Sequence, residues 1–466
     1  MTEWVRGSLG ASPDHAPSLA RGVAGFVRKV AQPVDFASLA AFRILFGLAM
    51  AVAMVRALVS GWAEEVLVRP DFFFKYAGFA WVPVPSGPVL QALLAGLAAC
   101  ALCIAVGLFY RPAAVLFLVG FSWVQLMDLT NYLNHYYLVV LLSGLLVALP
   151  LGRFASLDAW RRPDRALAAV PVGWVWLLRC QLAVVYVHAG LAKATSDWLL
   201  HGQPLGIWLA SRTDTPVLGP LFALDAAPLV MSWAGFLYDL TIVGWLLWPR
   251  TRRFAYLAVL AFHGVTQILF DIGMFPTIMV TSTLIFFAPD WPRRWLGRRW
   301  APTRPAQVVR LGRPWLVLAL AWCAFQALFP LRSHLLSDNV LWDERGMRFS
   351  WRVMVREKMG SVTYRVTQGG REIEVNPKTY LDWRQVAEMS GQPDHIRQLA
   401  HHIADDFRRR GPEPQVRVDA WVSLNGRAPT RLIDPDVDLV HMGPQTPWIL
   451  PAPTGHPLER PVRASR

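Results

Sequence analysis

Residues 172–198 read VGWVWLLRCQLAVVYVHAGLAKATSDW. From Val172 to Ala192 the run is apolar apart from Arg179, Gln181 and His188, which matches the roughly 20 residues that cross a bilayer as a helix. It ends on Lys193, and Thr195, Ser196 and Asp197 carry the chain into a loop. The pattern recurs. Apolar segments near 38–58, 89–109, 112–129, 133–150, 172–193, 229–248, 252–269, 275–288 and 314–330 predict about nine spans. The segment 275–288 is short and reads either as re-entrant or as buried among its neighbours. The expected fold is an α-helical polytopic membrane bundle over 38–330, followed by a mixed α/β, β-rich extracytoplasmic domain over 331–450. A cytoplasmic N-terminal segment (1–37) and a Pro/Arg-rich tail (451–466) flank them.

The net charge of +14 raises nucleic acid as a partner, and its placement argues against one. Residues 331–466 carry 20 Lys+Arg and 17 Asp+Glu, so most of the excess lies in the membrane part. There it alternates. The loops holding Arg111, Arg153 to Arg165, Arg250 to Arg253 and Arg293 to Arg313 are basic. Those holding Glu64 and Glu65, Asp128, Asp197 to Asp225, and Asp271 are mildly acidic. This positive-inside pattern predicts a multi-pass inner-membrane protein with its N-terminus in the cytoplasm and everything after residue 331 outside. Membrane lipids are the expected surroundings. Residues 1–16 read as no cleavable signal, and APSLARGVAGFVRKVAQ reads as an amphipathic helix on the inner surface or as a basic tail. Cys100, Cys103, Cys180 and Cys323 all fall in predicted spans, so the outer domain needs no disulfide framework.

That outer domain shows two hairpins, SVTYRV–TQGG–REIEV and VRVDAWVSL–NG–RAPTRLID, around an amphipathic helix in PDHIRQLAHHIADDFRRRG closed by Gly411. His395, His401 and His402 share that helix without a matching Cys or carboxylate cluster. They read as a solvated face, and no metal is expected. Phosphate-loop, zinc-protease, nucleophile-elbow and dinucleotide fingerprints are not found.

What remains are polar residues at membrane depth, which are functional candidates or helix–helix hydrogen-bonding groups. Asp239 sits in FLYDLTIVGW and His263 in LAFHGVTQILF. Asp128, Asn134 and His135 lie in MDLTNYLNHYY, and Asp271 ends the seventh span. Lys193 stands apart. Of 46 Lys+Arg only five are lysine: Lys29, Lys75, Lys193, Lys358 and Lys378. Arginine keeps its proton, whereas a desolvated lysine releases it more readily. A lysine at the rim of an apolar segment therefore suits a base, the alternative being a snorkelling anchor.

With these stretches in hand, the sequence resembles the vitamin K-dependent γ-glutamyl carboxylases and their bacterial relatives that share the HTTM membrane domain. ASLAAFRILFGL, GLFYRPAAVLFL, LMDLTNYLNHYYL, AGLAKATSDW, FHGVTQILFDIGMFPTIM and APDWPRR resemble successive membrane blocks. FSWRVMV, EVNPKTYLDWR, DAWVSLNGR and IDPDVD resemble the outer domain, so the likeness covers roughly 35–440. It implies a lysine that deprotonates vitamin K hydroquinone, or a related reduced naphthoquinone. Dioxygen then converts the quinol to an epoxide and generates a strong base. That base removes the γ-proton of a glutamate in an extracytoplasmic peptide or protein substrate, which adds CO2.

Lys193 matches the family's catalytic lysine and His263 its membrane histidine. Asn376, Pro377 and Arg384 match the block associated with glutamate binding, and Asp128, Asn134, His135, Asp197, Asp239 and Asp271 are supporting polar candidates. Gly152 and Arg153 stand where animal members carry Asn-His-Tyr-Trp, and Ala192 replaces a lysine. The long C-terminal region of the animal enzymes is not matched. Two alternatives stay open: quinol epoxidation without glutamate carboxylation, and a non-catalytic quinone- or lipid-binding scaffold.

Overall fold

The computed structural model describes residues 18–270, 272–297 and 312–457. Asp271, the first seventeen residues, most of the basic stretch before Arg313 and the end of the tail lie outside the described residues. All nine expected segments are helical. After α1 (Ser18–Val30) come α2 (Ala37–Val59), α3 (Gly87–Val106), α4 (Tyr110–Met127), α5 (Asn134–Ala148), α6 (Val172–Ala192), α7 (Ala227–Leu247), α8 (Arg252–Leu269), α9 (Phe275–Thr283) and α10 (Arg313–Leu328).

Among the described residues, six helices are long and apolar enough to cross a membrane: α2, α3, α4, α6, α7 and α10 with the turns that extend it to Leu336. This refines the expected nine. Helix α8 opens on Arg252 and Arg253, and α5 has 15 residues, a rise of about 22 Å against a hydrocarbon core of about 30 Å. Helix α9 is shorter still, prolonged by a 3-10 turn at Leu284–Phe286. Residues at the starts of α5 and α9 line a cavity, where a helix end at membrane depth is tolerated.

Close packing sets the helix positions. A Cβ on Gly47 would stand 2.6 Å from Ala105 N, so only glycine lets α2 lie this close to α3. Arg43, fully buried in α2, donates to the carbonyls of Ile104, Ala105 and Ala155, each at 2.6 Å. The first two bonds satisfy carbonyls at the orphan end of α3, and the third ties it to the loop at Ala155. A two-stranded ribbon, β1 (Pro33–Asp35) against β2 (Ala169–Pro171), ties the entries of α2 and α6 together.

The C-terminal domain is an antiparallel sheet of β3 (Lys358–Gln368), β4 (Arg371–Val375), β5 (Gln415–Leu424) and β6 (Thr430–Arg431) in the order β4-β3-β5-β6. Both expected hairpins form. In β5 the alternation is strict, with Val416, Val418, Ala420, Val422 and Leu424 buried. Short α11 (Trp383–Met389) opens with a capping box from Asp382 and Gln385, and α12 (Pro393–Arg408) lays Ile396, Leu399, Ala400 and Ile403 on the sheet.

One reading is corrected here. His395 does not sit on a solvated face: it is fully buried, its ring 4.6 Å from that of Phe74. His402 lies 4.5 Å from the ring of Phe72. Both phenylalanines come from the loop between α2 and α3, so membrane-side residues cover a helix face that looks polar in isolation. Burial pushes the His395 imidazole down to about 3, so it is neutral there.

The two parts are joined by many such contacts. Arg384 donates to Thr130 Oγ1 and Asn131 Oδ1, both at 3.0 Å, and lies 3.6 Å from Asp128. Gln398 and Lys75 exchange two hydrogen bonds, and Tyr132 OH accepts from Phe349 N at 2.7 Å. Asp197 accepts from Asn425 at 2.8 Å and from both terminal nitrogens of Arg427 at 2.7 Å. Asn425 and Gly426 adopt the left-handed φ values of 50° and 81° that the Asn-Gly turn predicts. That turn delivers the two donors to Asp197.

Candidate active site

A cavity of about 300 Å³ lies between α5, α6, α7, α8 and α9, roofed by Val353 and Met354 of the C-terminal domain. Its walls are mainly apolar and aromatic. Lys193 enters it from the end of α6, where its backbone N–H closes the helix on Gly190 O at 2.9 Å. The side chain is buried, not snorkelled to an aqueous rim.

Its partner is Asp239 of α7, with Nζ to Oδ2 at 2.8 Å. Nζ also donates to Ala189 O at 3.2 Å and stands 5.4 Å from the Trp198 ring centroid. The pairing depends on how closely α6 and α7 cross. A Cβ on Gly190 would meet Leu240 N at 2.9 Å, and Leu240 follows Asp239. Trp198 is held by its indole N–H on Ser232 O at 2.7 Å. A buried ammonium without a counter-ion is strongly disfavoured, and this pair offsets part of that penalty.

Opposite stands a second polar group. Tyr186 OH lies 3.4 Å from His263 Nε2 and 3.3 Å from Thr283 Oγ1. Thr283 donates its own proton to Met279 O at 2.7 Å, so the tyrosine proton is directed to Thr283 or His263. His263 Nδ1 is buried with no hydrogen-bond partner. His263 as a residue lines the cavity, while this nitrogen is shielded from it. Asn134 and His135 complete this side, Asn134 Oδ1 accepting from Tyr132 OH at 3.1 Å. Flat rings (Phe262, Phe270, Phe275, Trp208) and one amine fit the head group of a reduced naphthoquinone.

The expected site residues thus divide. Lys193, Asp239, His263, Asn134 and His135 meet in the cavity. Asp128 and Asp197 lie outside it as domain connectors: Asp128 also accepts from Thr130 Oγ1 at 2.6 Å. Asn376, Pro377 and Arg384 do not line the cavity either. Asn376 caps a short turn through Lys378 N at 2.9 Å, Pro377 is buried in that turn, and Arg384 grips the Asp128 loop. His188 faces away, bonded to Ala327 O at 3.0 Å. Arg153, at the departure from the animal pattern, belongs to another cavity altogether.

Tyr186, Trp208 and Thr283 were not singled out from sequence. Tyr186 had a signal: it precedes Lys193 by seven residues, two helical turns on the same face. Thr283 and Trp208 had none, because their role arises only from packing.

A family model for the HTTM domain matches residues 31–291, more than half of the chain. A second, for the vitamin K-dependent gamma-carboxylase lumenal domain, matches residues 312–455. No solved structure matches.

Proposed function

We propose, from the premise that this chain belongs to the HTTM-domain family and carries a vitamin K-dependent γ-carboxylase lumenal domain, that it is a quinol-driven membrane γ-carboxylase. The observation that carries this reading is the buried Lys193–Asp239 pair facing His263 across an apolar cavity. A bound reduced naphthoquinone would supply, with O2, the oxidative driving force that an amine lacks for removing a glutamate γ-hydrogen. The chain's own residues supply the rest.

Lys193 is the base for a quinol hydroxyl. To act it must be neutral, and Asp239 at 2.8 Å is the immediate acceptor of its proton. The pair carries no net charge with the proton on either partner, so moving it between them isolates no charge in an apolar medium. The His263 and Tyr186 side chains form the far wall of the ligand site, and the rings exclude water from the reacting atoms. Glutamate enters beneath Val353 and Met354 from the C-terminal domain, which lies outside the inner membrane while the N-terminus is cytoplasmic. Asn376, Pro377 and Arg384 act upstream of the cavity, in guiding the peptide.

A second reading has its own support. Among the described residues, Lys193 is the one Lys or Arg side chain lining the cavity, so a glutamate carboxylate finds no separate cation there. That favours quinol epoxidation without carboxylation. Incubating purified protein with reduced vitamin K, bicarbonate and a Glu-containing peptide separates the readings. Epoxide together with a carboxylated peptide supports the carboxylase, and epoxide alone supports the second reading. Neither product from folded protein leaves a non-catalytic quinone-binding scaffold.

A further inference from the structure

At the other end of α4 lies a second cavity, of about 330 Å³, between the start of α4, the end of α5 and the turns from Leu151 to Arg165. Five arginines line it: Arg111, Arg153, Arg161, Arg162 and Arg165. One carboxylate does, Asp158, and its two oxygens accept from the backbone N–H groups of Phe109 at 3.0 Å and Tyr110 at 2.8 Å. Asp164 stands 3.9 Å from Arg165 in an exposed position. Arg111 gives one N–H to Val147 O, and the Arg161 guanidinium sits 5.1 Å from the Phe109 ring centroid. Each guanidinium has five donors, so most of them stay open to a ligand.

Position narrows the ligand. Helix α4 has 18 residues, a rise of about 27 Å, and Asp128 at its far end meets Arg384 of the C-terminal domain. That length matches a hydrocarbon core of about 30 Å. The arginines therefore stand at the phosphate level of the opposite leaflet. From the cavity, Pro112, Val115, Leu116 and Val119 run along α4 as one exposed apolar stripe. Guanidinium donors at the phosphate level, continuous with an apolar track into the membrane, have the form of a lipid head group joined to its chain.

We infer that this cavity binds the phosphate diester of an anionic phospholipid, with an acyl chain along α4. The site shares no residue with the Lys193 cavity and does not depend on the carboxylase reading. The phosphate chemistry is common to a lipid and to free phosphate, and the test separates them.

Full-length protein in neutral detergent is titrated with phosphatidylglycerol, phosphatidylcholine or inorganic phosphate, with thermal unfolding and native mass spectrometry as readouts. Phosphatidylglycerol should bind and raise the Tm, far more than phosphatidylcholine. The triple change Arg161→Gln, Arg162→Gln, Arg165→Gln, at exposed side chains, should weaken that binding on the order of a hundredfold. Its lipid-free Tm reports that the fold is kept. Arg250→Gln with Arg253→Gln, at the basic α7–α8 turn, should leave the binding intact. Equal affinity in native and triple variant overturns the site, as does equal loss in both variants, which would reduce it to diffuse surface charge. Inorganic phosphate binding as tightly as the lipid overturns the lipid assignment in favour of a soluble phosphate.

Discussion

The two ends of the helical bundle hold cavities of similar size, about 300 and 330 Å³, and opposite chemistry. One is mainly apolar and, among the described residues, holds a single buried cation, Lys193, matched to a single carboxylate, Asp239. The other is polar and holds five arginines around one carboxylate already taken by backbone. Arginine keeps its charge under any reachable condition, whereas a lysine can release a proton, which is what the proposed role of Lys193 requires. A guanidinium in the first cavity would stay protonated and could take up nothing.

Exchanging the cation type breaks the comparison most directly. Lys193→Arg and Lys193→Ala should each lower quinol epoxidation by about 10³-fold or more, measured as epoxide formed per turnover. Full activity in Lys193→Arg would show that charge, not proton transfer, is what the first cavity needs.

Removing the counter-ion tests the pairing. Asp239→Asn leaves Lys193 buried beside a neutral amide and should lower kcat about 10²-fold with little change in KM. A loss confined to KM would assign Asp239 to ligand binding instead.

Opening the domain junction should act on stability first. Arg427→Ala strips Asp197 of its two-pronged partner and should destabilise by about 2 kcal/mol, seen as a lower Tm and earlier proteolysis between the two parts. Gly190→Ala, which forces α6 off α7, should cost about 1–2 kcal/mol and lengthen the Lys193–Asp239 contact. Epoxidation should fall in step with Tm there, but not in helices remote from the cavity.

The smallest effect is acid weakening of the same junction. Burial pushes the Asp197 carboxyl up, but the hydrogen bonds from Arg427 and Asn425 outweigh it and hold the group below the usual carboxylate range. A carboxylate depressed on folding stabilises above its unfolded pKa of about 3.9 and loses that contribution as pH falls through the folded value. Native protein should therefore lose Tm below about pH 4 more steeply than Arg427→Ala.

Much of this architecture was legible in the chain. Nine mainly apolar runs became nine helices because backbone groups away from water must bond within their own segment, and both hairpins followed from alternation and turn residues. Lys193 stood out by its scarcity, and Asp239 and His263 by the expense of placing them in apolar spans. Their meeting was not legible. Lys193 and Asp239 are 46 residues apart on different helices, and periodicity within a helix says nothing about which face of a neighbour it meets. Asn376 and Arg384 drew attention through their likeness to a block associated with glutamate binding; that likeness does not disclose that Asn376 Oδ1 accepts from Lys378 N in a turn or that Arg384 donates across the domain junction. His395 was misread for a related reason, since the ring that buries it lies more than three hundred residues earlier.

The roof of the first cavity gives the protein a schedule. Lys193, Asp239 and His263 emerge from the ribosome well before Val353 and Met354, and Arg427 later still. Chains fold from the N-terminus as they are made, so the helices are inserted with the lysine facing an unfinished chamber. Only the final quarter of the chain seals it. On the proposed mechanism, a nascent chain carries its base before the roof is in place, and quinol chemistry waits for a completed molecule.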